Sequence, residues 1–303
     1  MTNLQRIFVL SLAFAVLGLG TWRAIQAQAP AARANATETL SSEQIRALIR
    51  QAADKDLEND KRQRDYTYIE RQVEQKLDGK GEVKSTEIRT HEIMMLYDEQ
   101  VERLIAKDDK PLSSKDAEKE EERIEKVIDK RKNESDDQRR KRLQKQEKER
   151  EQGRQFVREI ADAYNFRFLG TEMLGNRDTY VIDADPRPGY EPHMKEAKFL
   201  PKFRFRVWVD KSESQWVKLD VHCIETVSIG LFLARLHKGS NLQIEQTHVN
   251  DEVWLPKHVA LKLDARIALL KGFNLTEDLT YRDYRKFRTD TRIVGAEEVK
   301  HEP

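Results

Sequence analysis

FRFRVWVD at residues 203–210 and WVKLDVHC at residues 216–223 alternate apolar side chains with charged or polar ones. Successive side chains of a β-strand point to opposite faces, so the alternation predicts two strands, each with an apolar face and a charged face. Residues 210–214 between them are turn-forming. A sheet of such strands must bury its apolar face against helices or curl it around a cavity, while its charged face is expected to lie open to water.

Further strand patterns flank this pair, with turn residues between them. They are predicted at 166–174, 178–184, 228–236, 242–250, 252–263, 267–270 and 279–287. Turns spaced by about 8 to 12 residues are typical of an antiparallel meander.

The region before these strands predicts a helix followed by a hairpin. Ser41 or Ser42 can cap a helix whose apolar positions, Ile45, Leu48, Ile49 and Ala52, form one amphipathic face. From residue 65 the period changes to two and is interrupted at 78–81. The returning strand is predicted to run from 83 to about 105.

Residues 113–154 are roughly two-thirds charged, with both signs interleaved. Such a segment cannot form a globular core, and it predicts either two charged helices in a hairpin, with the turn at 133–136, or one long exposed helix. The basic cluster 139–142 is flanked closely by acids, which favours a solvated helix face over a nucleic-acid or anionic-lipid site.

The first residues indicate export. Arg6 precedes an apolar run at 7–20, and Ala27-Gln28-Ala29 is a small-x-small cleavage pattern. Cleavage after Ala29 is favoured over an uncleaved inner-membrane anchor. The single cysteine, Cys223, excludes an internal disulfide, and its place deep in the chain excludes a lipoprotein signal.

The predicted organisation follows from these patterns. It comprises a signal peptide at 1–29, a linker at 30–40, a helix and the first strands at 41–112, a charged helical insertion at 113–163, the main antiparallel β region at 164–293 and a tail at 294–303. The expected fold class is α+β and mostly antiparallel: a curved half-barrel sheet with helices over its concave face and an inserted charged helical hairpin.

Catalytic patterns are lacking in the sequence. It contains no Gly-x-Ser-x-Gly, no phosphate loop and no His-Glu-x-x-His. His222, Cys223 and Glu225 do not form a plausible metal site, because His222 and Cys223 point to opposite faces of a strand. We therefore expect no enzyme activity, no catalytic residues, no cofactor and no metal.

Five segments share a pattern of strands with fixed aromatic residues: residues 175–186, with Tyr180 and Pro186, then VWVDK at 207–211, WVKL at 216–219, VWLP at 253–256 and 281–287. In these segments the sequence resembles the LolA/LolB and RseB superfamily of periplasmic lipoprotein-binding domains. The resemblance covers about 164–293 well and 66–104 loosely. It implies a half-open barrel closed by helices over a hydrophobic concavity for acyl chains or a lipidated peptide. The segment 113–154 departs from it as an insertion.

The functional hypothesis is a periplasmic carrier that moves lipid or lipoprotein acyl chains towards the outer membrane and binds no nucleic acid. Its expected lining residues are Phe203, Phe205, Val207, Val217, Leu219, Val221, Leu231, Leu233, Leu261 and Leu263. The same alternation would also serve a closed core. The alternative function is an RseB-like envelope-stress sensor or assembly module that contacts an envelope protein through 113–154.

Overall fold

The computed structural model describes residues 39–97, 99–229, 234–267 and 272–287. The predicted signal peptide, most of the predicted linker, the predicted tail and the candidates Leu231 and Leu233 lie outside these residues. The described elements, in chain order, are α1 (Ser42–Gln63), β1 (Tyr66–Leu77), β2 (Val83–Leu96), β3 (Glu99–Lys107), β4 (Lys110–Pro111), α2 (Ser114–Lys132), α3 (Asp136–Ala163), β5 (Tyr164–Leu174), β6 (Arg177–Pro186), a 3-10 helix (Glu196–Lys202), β7 (Phe203–Asp210), β8 (Trp216–Cys223), β9 (Val227–Ile229), β10 (Ala234–Leu236), β11 (Asn241–Val249), β12 (Val253–Ile267) and β13 (Phe273–Lys286).

The strands form one antiparallel sheet in the order β4-β3-β2-β1-β13-β12-β11-β8-β7-β6-β5, with β9 and β10 attached beside β12. The chain therefore runs as a meander from β5 to β13, and the last strand pairs with the first, from Tyr66 opposite Lys286 to Leu77 opposite Asn274. The sheet is an open half-barrel with helices, which confirms the predicted fold class.

Helix α1 begins at the capping box that its sequence encodes. The Ser41 hydroxyl accepts a hydrogen bond from the Gln44 N–H, and the Gln44 side chain accepts one from the Ser41 N–H. The predicted apolar face packs against the sheet, since Ile45, Ile49 and Ala52 share a buried cluster with strands β6 and β7.

The charged segment is a helical hairpin, α2 and α3, so the predicted hairpin is confirmed and the single long helix is wrong. The helices are capped by Ser113 and Ser135, which accept hydrogen bonds from the N–H groups of Asp116 and Gln138. Helix α2 rests on the sheet through Ile124, which packs against Leu96 and Val101.

The prediction of a single strand from 83 to about 105 is wrong. The chain forms two strands there, β2 and β3, and Tyr97 at the turn adopts φ 52°, a left-handed conformation that the sequence marks with no glycine. Residues 268–270 of the strand predicted at 267–270 lie outside the described residues. Strand β12 extends to Ile267, and β13 begins at Phe273 rather than at 279.

The polar face of β7 is less open to water than its sequence predicts. Trp208 and Asp210 are buried there. Trp208 Nε1 donates to Glu172 Oε2 at 2.8 Å, and the Lys218 amine lies 5.3 Å from the indole centroid. Asp210 accepts the backbone N–H groups of the following turn. Neighbouring polar side chains therefore cover part of the face that alternation assigns to solvent.

Candidate ligand cavity

An apolar cavity of about 180 Å³ lies between helix α1, the end of α3 and the apolar face of the central strands. Its lining is Ile49, Ala52, Ala53, Asp56, Val157, Ile160, Tyr164, Leu200, Phe203, Phe205, Val207, Trp216, Leu219, Val221 and Leu242. Almost all of these side chains are hydrocarbon or aromatic, so the space favours an apolar occupant.

Strands β7 and β8 form the floor of the cavity through their register. Phe205 pairs with Val221 and Val207 pairs with Leu219, which brings four apolar side chains onto one face. The ring of Tyr164 meets that of Phe205 edge to face, with centroids 4.8 Å apart. The Tyr164 hydroxyl donates to the Leu200 carbonyl at 2.7 Å, so its polar end is paired.

Helix α1 forms the opposite wall with small side chains. Ala52 and Ala53 are buried and line the cavity, where larger residues would occupy the space. Helix α1 is held beside α3 by exposed ion pairs, Arg50 to Asp162 at 3.0 Å and Arg158 to Asp54 at 3.3 Å. These pairs position the helix but contribute little energy each.

A carboxyl group interrupts the apolar lining at Asp56. Its Oδ1 accepts hydrogen bonds from Trp216 Nε1 at 2.7 Å and from Gln215 Nε2 at 3.3 Å. Burial raises the pKa of Asp56 above its ordinary value, although the hydrogen bonds from Trp216, Gln215 and Gln246 act in the opposite direction. The cavity thus has one acidic position in an otherwise apolar wall.

The structure brings together five of the predicted lining residues: Phe203, Phe205, Val207, Leu219 and Val221. Leu261 and Leu263 belong instead to an adjacent apolar cluster with Phe203 and Leu242. They share the concave face because Leu242 pairs with Leu261 across β11 and β12. A ligand-binding role for any of these side chains stays a prediction.

Val217 does not join the lining. The register between β7 and β8 shifts at Trp208 and Val209, so that Val209 pairs with Trp216 and Trp208 with Lys218. This irregularity turns Trp216 towards α1 and places Val217 in a second, polar pocket with Lys218. Alternation from residue 216 assigned the opposite orientation to both side chains.

The sequence analysis did not single out Asp56 or Trp216. A pattern could have found Asp56, because it follows Ile45, Ile49 and Ala52 at helical spacing and so lies on the apolar face of α1. A carboxyl at such a position is a marker of a buried site. The orientation of Trp216 depends on the bulge and has no comparable local pattern.

The polar pocket, about 310 Å³, lies where β8 begins and β11 ends, beside the β5–β6 turn. Arg177 stacks over the Trp254 ring at 5.1 Å and donates to Glu213 Oε1 at 2.6 Å. The His248 ring stacks on Trp254 with centroids 4.8 Å apart, and its Nδ1 lies 2.6 Å from Arg177 Nη2. Burial by itself would raise the pKa of Glu213, but the hydrogen bonds from Trp254 and Arg177 hold that pKa below its ordinary value. These groups largely satisfy one another.

The single cysteine does not present a reactive thiol. Cys223 is buried, and burial raises the pKa of its thiol to about 12, which disfavours the nucleophilic thiolate. Within the described ranges no group of three or more His, Cys, Asp or Glu residues could hold a metal ion. None of the described helices is both long and apolar enough to span a bilayer.

Comparison with known proteins gives matches among solved structures alone. No protein-family model matches the chain, and no curated protein matches it.

Solved structures similar to the chain include a LolA superfamily protein. It comes from Nitrosomonas europaea, with 8% identity, TM-score 0.27, and coverage of 85% of this chain and 99% of that one. A candidate outer membrane lipoprotein-sorting protein domain from Vibrio parahaemolyticus has 14% identity and TM-score 0.31, and the match covers 79% of this chain and 95% of that one. The MucA/MucB complex of Pseudomonas aeruginosa gives 11% identity, TM-score 0.22, and coverage of 80% and 99%.

These matches include the superfamily that the sequence resembles. Their identities and TM-scores are low, so a function for this chain must be argued from its own cavity.

Proposed function

We propose that this chain is a non-enzymatic binding protein of the bacterial periplasm that takes up an acyl chain of a lipid or of a lipidated protein. The observation that carries the proposal is the apolar cavity between α1 and the sheet. Sites for such ligands are concave and mostly apolar, with few polar groups. The floor formed by Phe205, Val207 and Leu219 under small α1 residues has this character.

The energy for binding would come from burial of hydrocarbon. Each methylene moved out of water contributes about 0.8 kcal/mol. An apolar cavity of about 150 Å³ in another protein stays dry and binds benzene, so about 180 Å³ suffices for the first part of an acyl chain. A longer chain would displace α1 or continue along the concave face past Leu242 towards Leu261.

The compartment in this proposal rests on residues 1–29, whose charge, apolar run and cleavage pattern are those of an export signal. A lipidated protein is one periplasmic source of acyl chains, and transfer towards the outer membrane would make the chain a carrier. Release then requires a second conformation with lower affinity, in which α1 moves away from the sheet.

Native mass spectrometry of the protein purified from the periplasm tests this proposal, followed by organic extraction and identification of bound molecules. A lipid or lipopeptide that co-purifies is the expected result. Protein that is empty and also fails to bind octanol, a short neutral amphiphile, would overturn the proposal.

A matched pair of variants links binding to the cavity. Ala52→Leu places three more carbons in the lining, whereas Ala47→Leu makes the same change on the exposed side of α1. Because the cavity can accommodate the added side chain, we expect Ala52→Leu to remain folded and to lose bound lipid, while Ala47→Leu retains it. Equal lipid content in the two variants would place the ligand elsewhere.

A second function is favoured by one observation on the helical hairpin. Between residues 136 and 153 of α3 no side chain is buried, so this length of helix does not serve the core. In an envelope-stress sensor or assembly module, the hairpin would contact another envelope protein and the cavity would be a packing defect. Empty protein that does not bind octanol would favour this function.

A further inference from the structure

The apolar cavity contains an acid where hydrocarbon would pack equally well. Among the described residues that line it, Asp56 carries the one formal charge. Its donors, Trp216, Gln215 and Gln246, are all uncharged, and the charged group that acts on it is a second acid, Asp60. An anion in an apolar wall is costly without a cation close by.

Attachment of α1 to the sheet does not require this charge. The hydrogen bond from Trp216 Nε1 ends on Oδ1 at 2.7 Å, and the amide oxygen of asparagine could accept the same bond. An asparagine would also avoid most of the cost of burying a carboxylate. What a carboxylate offers at this position, and an asparagine cannot, is a negative charge that a cationic ligand group could neutralise.

This charge bears on the polar end of a bound amphiphile. Hydrocarbon packed against Asp56 would remove the remaining water from the carboxylate, so the polar end of a ligand is more stable there than its tail. A ligand carboxylate would add a second negative charge in a region of low dielectric, whereas an ammonium group would neutralise the first.

Resting on the proposed function, we propose that Asp56 determines head-group specificity: the cavity selects amphiphiles with an amine at the polar end and rejects free fatty acids. The acyl tail would lie over Phe205, Val207 and Leu219, and the ammonium group would bond Asp56 beside Trp216. Neutral alcohols, which can donate one hydrogen bond to the carboxylate, would bind with intermediate affinity.

The test compares three ligands of one chain length: octylamine, octanol and octanoate. Isothermal titration calorimetry with the full exported protein at about pH 8 keeps the amine and the acid ionised. We expect wild-type protein to bind octylamine at least about tenfold more tightly than octanoate, with octanol between them.

Two variants separate specificity from structure. Asp56→Asn should bring the affinities for octylamine and octanoate to within about threefold while octanol still binds, because the apolar lining is unchanged. Glu58→Gln removes the same charge from an exposed position on the same helix and should retain the wild-type preference. A purely structural role of Asp56 would lower all three affinities together.

The outcomes distinguish the two proposals. Binding of all three ligands with equal affinity by the wild type, or an unchanged preference in Asp56→Asn, would overturn the role of Asp56 and leave the acyl-chain site standing. If none of the three ligands binds the wild type, the role of Asp56 is wrong, and the acyl-chain site is wrong as well if the protein also purifies without lipid.

Discussion

Helix α1 and the hairpin of α2 and α3 are both helical additions to one sheet, yet they are held by different forces. Helix α1 places Ile45, Ile49 and Ala52 in the buried cluster above β7. Helix α2 buries Ile124, and the first eighteen residues of α3 bury no side chain. A helix that covers a cavity must be apolar on one face, whereas a helix that buries no side chain can be charged all round.

Ion pairs near the turn between α2 and α3 also hold the hairpin in place. Arg142 makes bonds of 2.8 to 3.1 Å with Glu134 and donates to the Tyr97 carbonyl, and Arg131 bonds Glu99 on β3 at 2.7 Å. Further along, pairs such as Lys126 with Glu122 are well exposed and contribute at most about 1 kcal/mol each. The hairpin is thus held to the sheet along α2, from Glu120 to Arg131, whereas residues 136–153 of α3 bury no side chain.

The largest expected effect is on the apolar attachment of α1. Ile45→Ala should lower the free energy of unfolding by about 2 to 5 kcal/mol, because Ile45 is 2% exposed and its loss leaves a void in the cluster. Urea unfolding measures this. Arg50→Ala, which breaks the exposed pair with Asp162, is the control and should cost less than about 1 kcal/mol. If the two variants lost equal free energy of unfolding, apolar burial would not be the main force that attaches α1.

The next effect concerns the polar attachment of α1 to β12. Asn59 accepts from the Trp254 N–H and donates to the Trp254 carbonyl, both at 2.7 Å, in a buried site. Asn59→Ala leaves a buried N–H without its partner and should cost about 1 to 3 kcal/mol.

Gln63 supplies the matched control, again by urea unfolding. It donates only to the same Trp254 carbonyl, at 2.9 Å, which keeps its bond from Asn59 when Gln63→Ala is made. We expect Gln63→Ala to cost less than Asn59→Ala. If the two variants are equally stable, the buried N–H of Trp254 is satisfied in another way.

The smallest effect is electrostatic and belongs to the hairpin. The hydrogen bonds from Arg142 hold the pKa of Glu134 below its ordinary value. A carboxyl with a lowered pKa stabilises the fold above its unfolded pKa, and the contribution is lost as pH falls through the folded pKa. Glu134→Gln should therefore lower the melting temperature at neutral pH, and the difference from wild type should close in acid.

Thermal unfolding followed by circular dichroism between neutral pH and about pH 3 measures this convergence. Glu122→Gln, which removes an exposed pair of α2, is the control and should change the neutral melting temperature less. A Glu134→Gln difference that persists undiminished in acid would show that the Glu134 charge is not what stabilises the turn.

Much of the fold could be predicted from local patterns. The alternation in 203–210 and 216–223 predicts both strands, and the capping residues Ser41 and Ser135 stand where helices begin. The turn at Tyr97 could not be predicted in this way, because a left-handed tyrosine has no glycine or proline to mark it. The pairing of β1 with β13 joins segments about two hundred residues apart, which no local period encodes.

Alternation along β7 and β8 is enough to predict which strand faces are apolar, and five lining residues of the cavity follow from it. That Trp216 faces α1 while Val217 faces the polar pocket depends on how the two strands pair. The physical reason is that alternation is a property of each strand, whereas a bulge arises from the hydrogen-bond register between two strands. The position of Asp56 in the cavity likewise depends on where α1 packs, although the helical spacing predicts that Asp56 lies on the apolar face of α1.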